Sequence, residues 1–302
     1  MEPIVIIDFK LERSTYSIDL DDPFAKVLLS EYSEWFLLPT NEDEDKIKII
    51  FRKDVVCATT NMIAYYSLHN FQIIGENKER QEQIVKKNDS VYLMTHLFNQ
   101  EVAFLSLDLL KETVSINYFS DICIQDLFAL MKTAYIFISN YLLDKPLIMM
   151  HASAVEIKKK YAAVFIGISG AGKTTVASYC SDNGYLVLSD ETILIWEEND
   201  IYYVQGTPWH GSEKVIKGNA AICKIDVIYL LVKDKRDFVS KSSNQYENKC
   251  ILFNQWLNSA QYNIDGFMRG TSFINGMAKD ISIYNLFFTK SKKFIDVINL
   301  QK

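Results

Sequence analysis

The spacing of apolar residues changes near the middle of this chain. Up to residue 118 they fall in short runs rich in β-branched and aromatic side chains, at 3–11, 46–52, 71–75, 91–96, 101–107 and 113–118. Each run predicts a strand. Charged stretches lie between them, notably 41–45 and 76–89, and read as solvated turns. From 125 to 142 the apolar positions become Leu127, Leu130, Met131, Ala134, Tyr135, Ile138 and Leu142. Steps of three and four place them on one face, which predicts an amphipathic helix.

Beyond Pro146 the two periods alternate. A strand is expected at 147–155, a turn at Lys158-Lys159-Lys160 and a strand at 161–166. A glycine-rich loop follows, then a helix from 173 to about 181, stopped by Asn183-Gly184. Strands are expected at 185–188 and 227–232, and a hairpin joins 193–196 to 201–204. Two or three helices fit 246–278, a strand fits 281–288 and a last helix fits 291–300. The pattern predicts an α/β protein in two parts, a strand-rich α+β domain at 1–120 and a second domain at 121–302.

Composition narrows the class. The 302 residues are 49% hydrophobic and 23% charged, as in ordinary globular proteins. Net charge is −6 and only five arginines occur (Arg13, Arg52, Arg80, Arg236 and Arg269). That balance argues against a nucleic-acid partner, which calls for a basic excess. Cys57, Cys123, Cys180, Cys223 and Cys250 include no C-x-x-C pair. They form neither a disulfide framework nor a zinc site and are read as buried reduced thiols. The longest apolar stretch, 127–143, is broken by Lys132 and Asn140 and is too short and polar to span a bilayer. No secretory leader is evident at Met1-Glu2-Pro3-Ile4. The expectation is a cytoplasmic protein without a membrane partner.

One segment carries specific chemistry. Gly167-Ile168-Ser169-Gly170-Ala171-Gly172-Lys173-Thr174 fits G-x-x-x-x-G-K-[ST] at every fixed position, between a predicted strand and a predicted helix. Small residues let backbone N–H groups point inward around phosphate oxygens, and the helix N-terminus adds partial positive charge. Lys173 would reach the β- and γ-phosphates and the Thr174 hydroxyl would ligate Mg²⁺. The expected nucleotide-binding set is Gly167, Ser169, Gly170, Ala171, Gly172, Lys173, Thr174 and Thr175. A plain glycine turn would not require Lys-Thr after the last glycine.

Two acids and two histidines complete the candidates. Asp190 and Glu191 follow the strand 185–188, and pairing beside the loop's own strand would bring them to the phosphates. Asp190 could act as base or metal-associated carboxylate, and Glu191 could hold Mg²⁺. The alternative is a solvated turn before the hairpin. His151 lies in an apolar strand expected to form a hairpin with the loop strand, where it would tune Asp190 or serve only structure. Thr207-Pro208-Trp209-His210-Gly211 is either a substrate-lining turn, with Trp209 and His210 as contacts, or a corner around a buried indole.

The pattern His151-Ala152-Ser153-Ala154-Val155, the loop 167–174 and Leu188-Ser189-Asp190-Glu191 together resemble the HPr kinase/phosphorylase family. The likeness is greatest to the HPr-kinase-like enzymes of ribosomal peptide biosynthesis, some of which phosphorylate a peptide serine. ATP-dependent phosphoenolpyruvate carboxykinase has a related nucleotide core. The resemblance spans about 147–211, extends to 220–302 in layout only, and leaves 1–120 unmatched. It implies that Lys173 and Thr174 bind phosphates and Mg²⁺, that Asp190 is the base toward an accepting hydroxyl, and that His151 accompanies it. Glu191 stands where the family has a second aspartate. The C-terminal glycine-arginine signature has no counterpart, so HPr as substrate and the phosphorylase reaction are not implied.

The sequence therefore predicts a P-loop kinase core of HPr kinase/PEP carboxykinase type, using ATP or a related donor with Mg²⁺. Its acceptor would be a hydroxyl, best read as Ser or Thr of a peptide or protein partner. A small-molecule kinase and a non-catalytic nucleotide-binding module are the alternatives. The domain at 1–120 is expected to recognise substrate or to mediate self-association in a homo-oligomer.

Overall fold

The structure, a computed structural model, describes residues 4–11, 14–31, 33–37, 47–53, 72–77, 82–88, 90–96, 102–108, 110–111, 113–118, 123–141, 147–209, 216, 218–257, 264–289 and 294–299. The stretch 41–45, read as a solvated loop, lies outside these residues. Contacts divide the chain into two units, one of Met1–Leu143 with Ser259–Phe267 and one of Asp144–Asn258 with Met268–Lys302.

The first unit is built on a nine-stranded sheet. Its strands are β1 (Ile4–Leu11), β2 (Ser14–Asp21), β3 (Phe36–Leu37), β4 (Ile47–Lys53), β5 (Gln72–Asn77), β6 (Glu82–Lys87), β7 (Ser90–His96), β8 (Val102–Asp108) and β9 (Thr113–Tyr118), in the order β3-β1-β2-β4-β9-β8-β7-β6-β5. Helix α1 (Asp22–Glu31) packs on β1 and β2, and α2 (Ile124–Tyr141) packs on β8 and β9. Alternate strand residues Leu105, Leu107, Val114 and Ile116 are fully buried, and so are Leu127, Ala134, Tyr135 and Ile138 of the helix. The Tyr135 ring meets Tyr16 of β2 edge-on at 5.6 Å. These contacts hold the helix to the first unit. The division therefore falls after Leu143, not at the 120/121 boundary read from the sequence. Residues 82–87 also differ from expectation. They form a strand within the stretch read as a turn, because β5 and β7 flank them and satisfy their backbone groups.

The second unit is a sheet with helices on both faces. Its strands are β10 (Leu147–His151), β11 (Ser153–Lys158), β12 (Tyr161–Ile166), β13 (Leu186–Ser189), β14 (Thr192–Glu198), β15 (Ile201–Gly206), β16 (Ile222–Lys233), β17 (Phe238–Lys241) and β18 (Ile283–Phe288). The main path runs β10-β14-β15-β16-β12-β11-β13, with β18 parallel to β16 and β17 on its far side. Along β12, Ala162, Val164 and Ile166 face one buried cluster, while Ala163 and Phe165 face another. A strand buried on both faces reads as a continuous apolar run, which is what 161–166 is. Helices α3 (Lys173–Asp182) and α6 (Phe294–Asn299) cover the Phe165 face, with Val176, Ala177, Phe294 and Ile298 in its core. Helices α4 (Gln245–Gln255) and α5 (Ile264–Asp280) cover the other, through Leu252, Phe273, Ile274 and Met277. This is an α/β fold.

Local signals set the connections. The β14–β15 hairpin turns through Asn199 and Asp200, both at positive φ (52° and 59°), as a two-residue turn of matching twist requires. Helix α3 ends where Asn183-Gly184 predicts. Gly184 takes φ 78°, Tyr185 N–H donates to Cys180 O, and Gly184 N–H donates to Ser181 O. That double bond pattern satisfies the last carbonyls of the helix.

Candidate active site

The phosphate loop leaves the C-terminal end of β12 and enters α3. Gly172 precedes the helix at φ 113°, and a Cβ there would lie 2.7 Å from Phe288 Cζ. Only glycine lets the loop approach the Phe288 ring this closely. Gly167 is equally confined, since a Cβ would meet Ala171 Cβ at 2.6 Å. Gly167 and Ala171 are buried, Ile168, Ser169 and Gly170 are exposed, and Thr174 is exposed with Thr175 half-buried. Lys173 is buried, and its ammonium donates to Gly167 O at 2.8 Å. Burial pushes the lysine below its ordinary pKa, while the neighbouring Glu191 carboxylate pulls it back up.

The acids arrive on a corner rather than on a strand beside the loop. The stretch expected as one strand at 147–155 breaks at Ala152, whose N–H donates to Met150 O at 3.0 Å. On one side of the break β10 pairs with β14, ending at His151 opposite Thr192. On the other β11 pairs with β13, starting at Ala154 opposite Ser189. Two antiparallel segments thus bend together, and Asp190-Glu191 occupies the bend of the second. β13 pairs with β11, so β11 separates it from the loop strand, contrary to the direct pairing expected. Because β11 is antiparallel to both β12 and β13, Asp190-Glu191 still emerges at the edge where the phosphate loop emerges.

The bend has its own fastening, which sequence reasoning passed over. Ser189 Oγ accepts hydrogen bonds from Glu191 N–H (3.2 Å) and Thr192 N–H (3.1 Å). The signal was present, because a serine hydroxyl capping the amides two and three residues on is a local turn device. Asp190 is 5% exposed. The Glu191 side chain is 33% exposed, and its Oε1 lies 3.3 Å from His151 Nε2. His151 Nε2 thus contacts the Glu191 carboxylate, the acid next to the Asp190 named from the sequence.

The turn after β15 is tied to the same bend. Thr207 Oγ1 donates to Thr192 O at 2.9 Å. A Cβ on Gly206 would lie 1.8 Å from Leu188 O, so the backbones touch there. Trp209 is buried, and His210 lies outside the described residues. Among the described cysteines Cys180 and Cys223 are buried free thiols. Cys123 is exposed, against the expectation that all were buried.

Strand, phosphate loop, helix and an acidic bend come together at one sheet edge. The model of the phosphoenolpyruvate carboxykinase family matches residues 60–210, half of the chain. The chain belongs to this family of P-loop kinases. Among solved structures it is similar to the Hpr(Ser) kinase/phosphatase from Coxiella burnetii, with 11% identity over 51% of this chain and 95% of that chain and a TM-score of 0.32. No curated protein matches it. The chemistry of the family is ATP-dependent phosphoryl transfer.

Oxygen donors suit the metal that accompanies such transfer. Thr174 offers a hydroxyl and the bend offers two carboxylates, the hard ligands that Mg²⁺ takes beside nucleotide phosphates. Among the described residues no three His, Cys, Asp or Glu side chains form a ready-made cation cage. No described helix is long and apolar enough to cross a membrane.

Proposed function

We propose that the chain is an ATP-dependent kinase acting on a hydroxyl, and that this hydroxyl belongs to a Ser or Thr of a peptide or protein. The observation that carries the reading is the contact of His151 with Glu191 at the sheet edge where the phosphate loop emerges, with Lys173 within electrostatic reach of the same carboxylate. Lys173 would exchange Gly167 O for phosphate oxygens as ATP docks on the loop amides. Mg²⁺, held by Thr174 and Asp190, would neutralise phosphate charge. We assign the proton-accepting role to Glu191, because its carboxylate is accessible and histidine-bound whereas Asp190 is buried. The resemblance alone gave that role to Asp190. Catalysis is then positioning and charge neutralisation.

A neutral acceptor suits the residues available. Recognition of a small carboxylate or phosphate substrate favours bidentate guanidinium groups. The second unit has two arginines, and Arg236 lies over the Phe238 ring, 5.6 Å from its centroid. The first unit would recognise the acceptor or a second copy. Its sheet ends in the edge strands β3 and β5, to which an extended segment could add. The test is incubation of the full chain with ATP and a Ser- and Thr-containing peptide panel, against the same peptides with alanine in place of the hydroxyl residues. Phosphate on the hydroxyl peptides alone supports the reading. ATP binding without turnover on any acceptor would overturn it.

A further inference from the structure

A second group of polar side chains converges at the opposite edge of the same sheet. The phosphate loop leaves the C-terminal end of β12, whereas this cavity opens where β16 and β18 begin their parallel pairing, near Tyr229 opposite Tyr284. Its volume is about 180 Å³. At about 30 Å³ per water in the liquid, that is room for an organic molecule of roughly six to ten heavy atoms.

A backbone irregularity brings a charged residue to its wall. Against β12, Ile225 pairs with Ala162 and Val227 pairs with Ala163, so Asp226 is an extra residue in the ladder. Consecutive residues of a regular strand point to opposite faces. Asp226 and Val227 both line the cavity, which the bulge makes possible. Bulges re-aim side chains, and are over-represented beside sites for that reason.

The other polar walls are hydroxyls. Tyr229 is 1% exposed, and burial together with the nearby Tyr284 and Asp226 pushes its phenol up to about 12. It stays protonated and adds an aromatic wall. The Tyr229 and Tyr284 rings lie 6.2 Å apart at 40°. Ser282 adds a third hydroxyl, and Ile157 and Ile298 close the apolar sides. Among the described residues that line the cavity there is no Lys, Arg or His. Asp226 and Ser282 are exposed at the mouth of the cavity, where the Asp226 carboxylate would repel an entering anion. An organic cation would find a counter-charge, hydroxyl acceptors and aromatic faces whose quadrupole favours positive charge.

We propose that this cavity binds a small organic ammonium ion, with Asp226 as counter-charge and the hydroxyl oxygens of Tyr284 and Ser282 accepting its N–H groups. The site is independent of the kinase reading, and so is its test. Isothermal titration of the full chain with n-butylammonium, beside its neutral isostere n-butanol, reads binding directly. One saturable site for the ammonium ion, not shared by the alcohol, is expected. Asp226→Asn keeps the volume and should weaken binding at least about tenfold, with the urea midpoint and ATP affinity unchanged. Tyr284→Phe should weaken it severalfold and serves as a second variant if Asp226→Asn does not fold. Absence of saturation by n-butylammonium at about 20 mM, equal binding of n-butanol, or unchanged affinity in the folded variants would each overturn the proposal.

Discussion

His151 and Glu191 meet at 3.3 Å across a bend shared by two antiparallel chain segments. The histidine ends β10, and the acid precedes β14, the strand that pairs with β10. Their contact therefore follows from strand register. Lys173 lies within electrostatic reach of the same carboxylate, which couples the bend to the phosphate loop.

Glu191→Gln should lower kcat by about 10²–10⁴ while ATP affinity changes little, as expected for loss of a base that acts on the acceptor. Asp190→Asn should instead raise the Mg²⁺ concentration needed for half-maximal rate. Steady-state kinetics across a Mg²⁺ series separates the two. The reverse pattern would return the base role to Asp190.

Two glycines of the phosphate loop should respond differently to a methyl group. Both lie at positive φ, but at Gly170 nothing stands within 4 Å of the added Cβ, whereas at Gly172 the Phe288 ring stands at 2.7 Å. Gly170→Ala should cost about 1–2 kcal/mol of strain and retain nucleotide binding. Gly172→Ala must also displace Phe288 and should lose ATP affinity by at least about tenfold. ATP titrations of both variants check this.

Gly206→Ala should destabilise the second unit by about 3 kcal/mol or more. A Cβ would sit 1.8 Å from Leu188 O and 2.8 Å from Asn219 O, and backbone cannot yield as a side chain can. Urea denaturation should show a lowered midpoint. An unfolding free energy within about 0.5 kcal/mol of the parent would contradict this close approach.

The cysteines give a pH test. Burial raises the Cys180 thiol to about 12 and, with Glu156 nearby, Cys223 to about 11. Both thiols stay protonated in the folded chain, whereas unfolding frees them to ionise at ordinary values. Their contribution to stability is full below pH 9 and falls as pH rises from 9 toward 12. A thiol-reactive dye at pH 8 should label exposed Cys123 quickly, and Cys180 and Cys223 only in denaturant.

The sequence made the phosphate loop and its strand and helix readable because their rules are local. Residues 161–166 needed only a continuous apolar run, and the helix stop at Asn183-Gly184 needed only a left-handed glycine. The bend at Ala152 was not readable. It depends on β10 and β11 choosing different partners, β14 and β12, which is decided by tertiary pairing. That choice put Glu191 against His151. Residues 82–87 were misread for a similar reason, since flanking strands outweighed a polar composition. The α2 stripe was read correctly, yet its attachment to the first unit was not, because periodicity shows a buried face without showing what buries it.

The most direct test of the central claim is mass spectrometry of acceptor peptides after incubation with the full chain, ATP and Mg²⁺. Lys173→Ala serves as the control. The account predicts an acid-stable phosphate ester on a Ser or Thr side chain, formed by the parent protein and absent with the folded Lys173→Ala variant. Phosphate ester formed equally by Lys173→Ala, or phosphate found only on small molecules, would contradict it.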